Sequence, residues 1–193
     1  MTRKLSRVLT NKKLTTMKKI EILLYSFSEL SQEAKEYALN KWNENNDYHF
    51  GDEALESLKK FAEHFNAELR DWSIDYLEGY RSHVKFVLPE PEPTEKELKE
   101  MIKSMGSYNK KTLRGLGDCK FTGVCFDENC ADGAREAHHK GERNLLELLF
   151  AGYGEWHRAV TGDVEYQMSE EAFAETCEAN EYTFEENGRM RNA

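Results

Sequence analysis

The sequence has little proline and cysteine and no long apolar run. Its 193 residues include three prolines and four cysteines, and no stretch approaches the ~20 apolar residues that cross a bilayer. These absences exclude a transmembrane helix and a disulfide-stapled scaffold. No fixed period recurs, which excludes solenoids and coiled coils. Aromatic residues make up 11% of the chain and need an interior, so the composition indicates a soluble globular protein rather than a disordered one.

Positive charge is absent from one long stretch and concentrated in another. The net charge is −9, yet residues 1–19 hold seven basic residues and no acid, which leaves −16 for the rest of the chain. Between Arg158 and Arg189 there is no Lys or Arg and there are nine acids. A body this negative disfavours non-specific binding to nucleic acid and suits a basic protein surface as partner. A merely solubilising surface is the alternative.

Residues 1–16 differ from the rest and are predicted to be a mobile basic tail or an artefactual start, since Met17 precedes the first strand-like run. A nucleic-acid-binding arm is the sharper alternative. The segment has no apolar core of the kind that a secretory signal carries. We therefore expect one domain over residues 17–193, in a cytoplasm.

The cysteine pattern only superficially suggests a metal site. The first three cysteines are spaced C-x5-C-x4-C and two histidines follow, whereas structural zinc normally needs paired C-x2–4-C knuckles. We predict reduced, buried thiols and neither a metal nor a cofactor. The residues concerned are Cys119, Cys125, Cys130, Cys177, His138 and His139.

The first half of the chain alternates between strand and helix patterns. A predicted strand over Lys18–Tyr25 places Ile22 and Leu24 on an apolar face, and helices capped by Ser31 and by Asp52 follow. A hairpin is predicted from Leu69 to Leu88 with its turn at Glu78-Gly79. A Pro-rich spacer over 89–93 precedes a helix that starts with the capping box Thr94–Glu97 and ends near Gly106.

The second half is predicted to be mainly helical. A strand is expected over Asp118–Phe126, then a polar stretch over 127–141 with a break at Asp132-Gly133. Asn144–Trp156 predicts the most buried helix, and Ser169 caps a last acidic helix to about Ala179. A terminal hairpin turns at Asn187-Gly188. This order predicts an α+β fold, a small antiparallel sheet with helices packed on it.

One basic cluster interrupts the acidic body. We call Lys110, Lys111, Arg114 and Lys120 the basic loop. With Tyr108 and Phe121 interleaved, these residues are candidate nucleic-acid contacts, a phosphate-binding patch with a stacking aromatic. An ordinary mobile loop is the alternative reading of the same residues.

Catalytic residues are not identified by spacing. No phosphate loop, dinucleotide fingerprint, nucleophile elbow or HExxH motif is present. Carboxylates near histidines are able to hold a divalent metal or act on a phosphodiester, but nothing selects these from 36 acids. Cys119 has no base placed beside it by the sequence. The carboxylates and histidines considered are Asp118, Asp127, Glu128, His138, His139 and His157.

Three motifs carry a family resemblance. Tyr25–Ala38 resembles an F-x-E-L-S-x-x-A-K-x-x-A opening, Gly117–Gly123 a G-D-x-x-F-T-G strand, and Glu178–Gly188 an E-A-N-E-Y-x-F-x-E-x-G ending. In that order they are similar to a family of small proteins encoded by phages, prophages and mobile elements. Among these, the chain resembles a type II-A anti-CRISPR, an inhibitor of Cas9 and its guide RNA. The family supplies no catalytic residues to carry over.

The resemblance implies counteraction of a bacterial defence system inside the host cytoplasm. Cas9 holds nucleic acid in a positively charged channel, so an acidic body is complementary to it. Action on the guide RNA, through the basic loop or by promoting its cleavage, is a different route. The competing classes are a non-enzymatic phage partner, antitoxin-like or replication-associated, and a small metal-dependent nuclease acting on RNA.

Overall fold

The computed structural model describes residues 22–45, 50–75, 82–105, 121–122 and 126–191. Within these ranges six α-helices accompany a two-stranded antiparallel sheet, which confirms the predicted α+β class. None of these helices is long and apolar enough to cross a membrane. In chain order the elements are a 3₁₀ turn (Phe27–Glu29), α1 (Gln32–Asn45), α2 (Gly51–His64), β1 (Glu68–Ser73), β2 (His83–Val87), α3 (Glu95–Ser104), α4 (Phe126–His139), α5 (Leu145–Gln167) and α6 (Glu170–Ala179).

Side-chain caps start three of the helices where the sequence predicts them. The Ser31 hydroxyl accepts the Ala34 N–H at the start of α1, and the Ser169 hydroxyl accepts the N–H of Ala172 in α6. Thr94 opens α3 with both bonds of a capping box. The predicted cap at Asp52 is wrong, because α2 begins one residue earlier, at Gly51.

The predicted hairpin is confirmed as β1 paired with β2. Leu69 lies opposite Phe86 and Trp72 lies opposite Val84, with a bulge between them. The extra residue lets Leu69 and Trp72, three positions apart, remain on the sheet face that carries Phe86. The expected turn at Glu78-Gly79 lies outside the described residues, and residues 89–93 join β2 to α3 without helix or strand.

The polar stretch with a break at Asp132-Gly133 is a wrong prediction, because α4 runs through it without interruption. Gly133 serves close helix packing: a Cβ there would lie 2.3 Å from the Ala151 carbonyl oxygen in α5. Phe126, predicted to end a strand, is the first residue of α4. The helix predicted over Asn144–Trp156 continues to Gln167.

The strand predicted over Lys18–Tyr25 is wrong within the described residues, where only Tyr25 pairs with another segment, at Phe184. Ile22 and Leu24 are 51% and 47% exposed, because a single-residue bridge provides no sheet to cover them. The terminal hairpin is confirmed as a bridge between Phe184 and Met190. The tail over 1–16 lies outside the described residues.

Two groups of buried side chains hold these elements together. The main core lies between α2, α3, α4, α5 and one face of the sheet, around Phe61, Leu148 and Trp156. The second core lies between the 3₁₀ turn, α1, α6 and the C-terminal segment, around Phe173 and Phe184. Burial of large apolar side chains, worth about 2 kcal/mol each, is the dominant stabilising term in both.

Candidate functional site

The basic loop lies in a part of the chain that the structure does not describe. Lys110, Lys111, Arg114 and Lys120 all fall within residues 106–120, so their role in nucleic-acid binding stays a prediction. The described chain stops at Met105, after α3, and resumes at Phe121. The structure does define how Phe121 and Thr122, which follow the basic loop in sequence, are held.

Asp127 anchors the two residues that follow the basic loop in sequence. Its carboxylate is 1% exposed and accepts the Phe121 and Thr122 backbone N–H groups at 3.0 and 2.8 Å. The Thr122 hydroxyl donates to the same carboxylate at 2.9 Å, and its oxygen lies 3.2 Å from the Ser57 hydroxyl. The three bonds to Asp127 satisfy a buried carboxylate. The arrangement fixes the Phe-Thr pair of the G-D-x-x-F-T-G motif to the start of α4.

The ring of Phe121 packs into the protein. Its centroid lies 6.2 Å from that of Phe61 and 5.5 Å from that of His64. His64 is held in turn by Nε2, which lies 3.0 Å from the Met101 carbonyl oxygen. Phe121 is therefore an anchor residue of the main core as well as a neighbour of the basic loop.

The candidate metal and acid–base residues are not brought together. Asp127 and Glu128 begin α4 whereas His138 and His139 end it, a separation of about 15 Å along a helix that rises 1.5 Å per residue. Among the described residues, no three His, Cys, Asp or Glu side chains are grouped so as to hold a metal ion. Asp118 lies outside the described residues.

The described thiols are buried and weakly acidic. Burial raises the pKa of Cys130 well above its usual value, with a further contribution from Asp127. Burial also raises the pKa of Cys177 to about 11. Both thiols are therefore protonated at neutral pH, which suits the predicted structural role and not that of a nucleophile. Cys119 and Cys125 lie outside the described residues.

The opening and ending motifs meet in space. Tyr25 and Phe184 exchange two backbone hydrogen bonds, of 2.8 and 2.9 Å, across about 160 residues of sequence. Gly188 adopts a φ of +84° against the backbone of Ala34, where a Cβ would lie 2.1 Å from the Ala34 carbonyl oxygen. A side chain at position 188 would thus be both strained and obstructed.

Aromatic rings consolidate this junction. The Phe27 centroid lies 4.9 Å from that of Phe173 and 5.9 Å from that of Phe184. Trp42 of α1 adds a third contact, 5.2 Å from Phe173. Edge-to-face and tilted pairs of this kind contribute about 0.5–1.5 kcal/mol beyond their buried area.

A groove of about 630 Å³ lies beside the junction, between residues 24–28 and α6. Its apolar part is formed by Phe27, Ala174 and Tyr182, with the edge of Cys177. Three carboxylates and one ammonium group line it as well. These are Glu170, Glu178, Glu181 and Lys35.

Two further polar features adjoin the groove. The Lys35 ammonium lies 5.6 Å from the centroid of the Phe27 ring, within the range of a cation–π contact. Thr183 also lines the groove, and its hydroxyl oxygen is buried with no hydrogen-bond partner among the described residues. The groove thus combines an apolar interior with a predominantly acidic border.

Seven exposed carboxylates lie on α6 and on the segments that flank it in sequence, and we call them together the acidic face. Within the described ranges none of them lies within 4.0 Å of a Lys, Arg or His nitrogen. Tyr166 donates a hydrogen bond of 3.0 Å to Glu175, and this bond raises the pKa of the Tyr166 hydroxyl. The acidic face comprises Glu165, Glu170, Glu171, Glu175, Glu178, Glu181 and Glu186.

Helical spacing concentrates this charge. Glu171, Glu175 and Glu178 follow one another at i, i+4 and i+7 and so share one side of α6, opposite the buried Phe173 and Cys177. Like charges at these spacings destabilise a helix by a few tenths of a kcal/mol per pair. The sequence predicted the acidic helix, but it carried no signal for the groove, whose two walls are more than 140 residues apart.

Comparisons of the chain with protein-family models, curated proteins and solved structures gave no significant match. The groove and the acidic face are therefore interpreted from their own chemistry.

Proposed function

We propose that this protein is a mobile-element-encoded inhibitor of a bacterial defence system that acts by binding, with the Cas9–guide RNA complex as its target in the host cytoplasm. The observation that carries the proposal is the acidic face, whose seven exposed carboxylates lack a basic partner in the described chain. The motif resemblance supplies the class of target.

Electrostatics supports a basic protein surface as the partner. A carboxylate without a counter-ion among the described residues keeps its attraction for an incoming Lys or Arg. At physiological ionic strength this attraction extends about 8 Å, so carboxylates on one helix side act together on a nearby surface. Complementary charge raises the association rate and selects partners more than it raises affinity. A channel that normally holds nucleic acid meets this requirement.

The described candidates for catalysis favour binding over a chemical reaction as the mode of action. The described thiols are buried and protonated, and the described carboxylates and histidines form no metal-binding group. Action on the guide RNA depends on the basic loop, which is followed in sequence by Thr122, a residue that Asp127 holds by two hydrogen bonds. That route is therefore tested alongside binding.

The test is Cas9 cleavage of a target DNA after the guide complex is incubated with the purified full-length protein. We expect cleavage to fall with protein concentration while the guide RNA stays intact on a denaturing gel. Unchanged cleavage with intact guide RNA would refute the proposal. Loss of cleavage together with shortened guide RNA would replace binding by RNA cleavage.

A matched pair of charge-reversal variants locates the effect. Glu171→Lys with Glu178→Lys alters the acidic face, whereas Glu92→Lys with Glu100→Lys makes the same change in net charge at exposed positions elsewhere. We expect the first pair to weaken inhibition about tenfold or more and the second pair to leave it nearly unchanged. Equal effects would show that net charge, and not the acidic face, is responsible.

Co-purification with a toxin or a replication protein in place of Cas9 would favour the competing class of phage partner.

A further inference from the structure

The groove beside the motif junction is lined in part by Leu24, whose backbone is not hydrogen-bonded to the described chain. Both backbone polar groups of Tyr25 bond to Phe184, and this single-residue bridge does not engage the backbone of the preceding residue. Leu24 accordingly makes no backbone hydrogen bond to another described residue, and its side chain is 47% exposed. A backbone without hydrogen bonds at the border of an apolar groove is available to pair with an extended peptide.

The lining of the groove specifies the side chains of such a peptide. Side chains of an extended segment alternate in direction with a period of two. Those that point inward meet Phe27, Ala174 and Tyr182, which select apolar groups. Those that point outward meet Glu178 and Glu181, which select Lys or Arg.

We infer that the groove binds an extended segment of the protein partner in which apolar and basic side chains alternate. The inference rests on the proposed function for the existence of a basic protein partner and adds where and in what form that partner is recognised. Three carboxylates against one ammonium at the border disfavour nucleic acid and anionic lipid as occupants. The acidic face beside the groove extends the same preference beyond its border.

The test measures binding of a fluorescein-labelled eight-residue peptide of alternating Leu and Lys to the full chain by fluorescence anisotropy. Alternating Ser–Lys and Leu–Glu peptides of equal length serve as controls. We expect the Leu–Lys peptide to bind at least tenfold more tightly than either control, and its affinity to fall as salt is raised. Equal binding of the Ser–Lys peptide would overturn the inference, since charge alone would then account for binding.

Substitutions in and outside the groove test whether the peptide binds there. Glu178→Lys with Glu181→Lys reverses the border of the groove, and Ala174→Leu fills its interior without a change in charge. Each is expected to weaken the Leu–Lys peptide about tenfold or more. Glu165→Lys with Glu171→Lys changes the acidic face outside the groove by the same charge and is expected to have a much smaller effect. Equal loss in both charge-reversal variants would assign binding to the general field and overturn the groove as the site.

Two outcomes separate this inference from the proposed function. Cas9 inhibition without binding of any Leu–Lys peptide overturns the groove and leaves the proposed function standing. Peptide binding at the groove without Cas9 inhibition supports the groove and removes Cas9 as the target. The basic stretch over residues 1–19 of this chain is the competing occupant. Carbodiimide cross-linking of the full chain alone, if it joins a lysine of that stretch to Glu178 or Glu181, would overturn a partner segment in favour of this chain's own.

Discussion

Gly133 and Gly154 are both helical glycines, and replacing each by alanine is expected to change stability in opposite directions. Gly133 lies where α4 crosses α5: a Cβ there would meet the Ala151 carbonyl oxygen at 2.3 Å and the Gly152 Cα at 2.9 Å. Gly154 lies in α5, two residues after Gly152, and nothing lies within 4 Å of a Cβ added there. The pair therefore tests the helix crossing with one chemical change.

The expected magnitudes follow from two opposing terms. Alanine stabilises a helix interior by about 1 kcal/mol relative to glycine, a gain that applies at both positions. At Gly133 the obstructing atoms belong to backbone and have no rotamer to escape into, so α4 and α5 must separate by about 1 Å to restore ordinary contact. Overpacking of this kind costs up to about 3 kcal/mol. We expect a net loss of about 2 kcal/mol for Gly133→Ala and a gain of about 1 kcal/mol for Gly154→Ala.

Urea unfolding followed by circular dichroism at 222 nm measures the free energy of unfolding of both variants. In a chain of this size the changes correspond to a fall in Tm of about 4–8 °C for Gly133→Ala and a rise of about 2–4 °C for Gly154→Ala. Equal or greater stability of Gly133→Ala would refute the reasoning, because it would mean that the two helices do not cross at this residue.

Three further outcomes are expected. Asp127→Ala removes the acceptor of three hydrogen bonds and should cost about 3 kcal/mol in urea unfolding, whereas the neighbouring Glu128→Ala should cost less than about 0.5 kcal/mol; similar losses would contradict the anchoring role. Burial lowers the pKa of His157, so the folded state binds fewer protons at this residue than the unfolded state, and the contribution of His157 to the free energy of unfolding should be fully present above pH 6.5 and be lost as the pH falls below it. The free energy of unfolding of His157→Gln should fall less as the pH is lowered. A variant whose pH profile matches that of the original protein would count against this role of His157. Burial raises the pKa values of Cys130 and Cys177, so peptide mapping after iodoacetamide treatment at pH 8 should find both unmodified until urea is added, and prompt labelling of the folded protein would contradict their burial.

Features with a local cause could be predicted from the sequence. Ser31, Thr94 and Ser169 each satisfy N–H groups within three residues of themselves, so the starts of α1, α3 and α6 follow from adjacent residues. The β1–β2 hairpin follows equally from its alternation. The α+β class rests on these local signals.

Features that depend on distant residues were missed. Asp132-Gly133 predicts a break in a polar stretch because glycine is a poor helix former, whereas the reason for Gly133 in α4 is the backbone of Ala151 in another helix. Ile22 and Leu24 have a strand pattern, but strand formation needs a partner, and within the described chain the N-terminal segment pairs only through Tyr25. The groove is not predicted for the same reason, because the sequence of either wall alone does not indicate that the two walls meet.

The junction of Tyr25 with Phe184 has a consequence for synthesis on the ribosome. Phe27, near the N-terminal end of the second core, leaves the ribosome about 160 residues before Phe184, its aromatic partner. At roughly 5–20 residues per second, the nascent chain waits about 8–30 s before the contact becomes possible. During that time the buried side of α1 lacks its final partners from α6 and the C-terminal segment. The second core therefore forms only after Phe184 has been synthesised, and the high sequence separation of its contacts makes it the slower of the two to form.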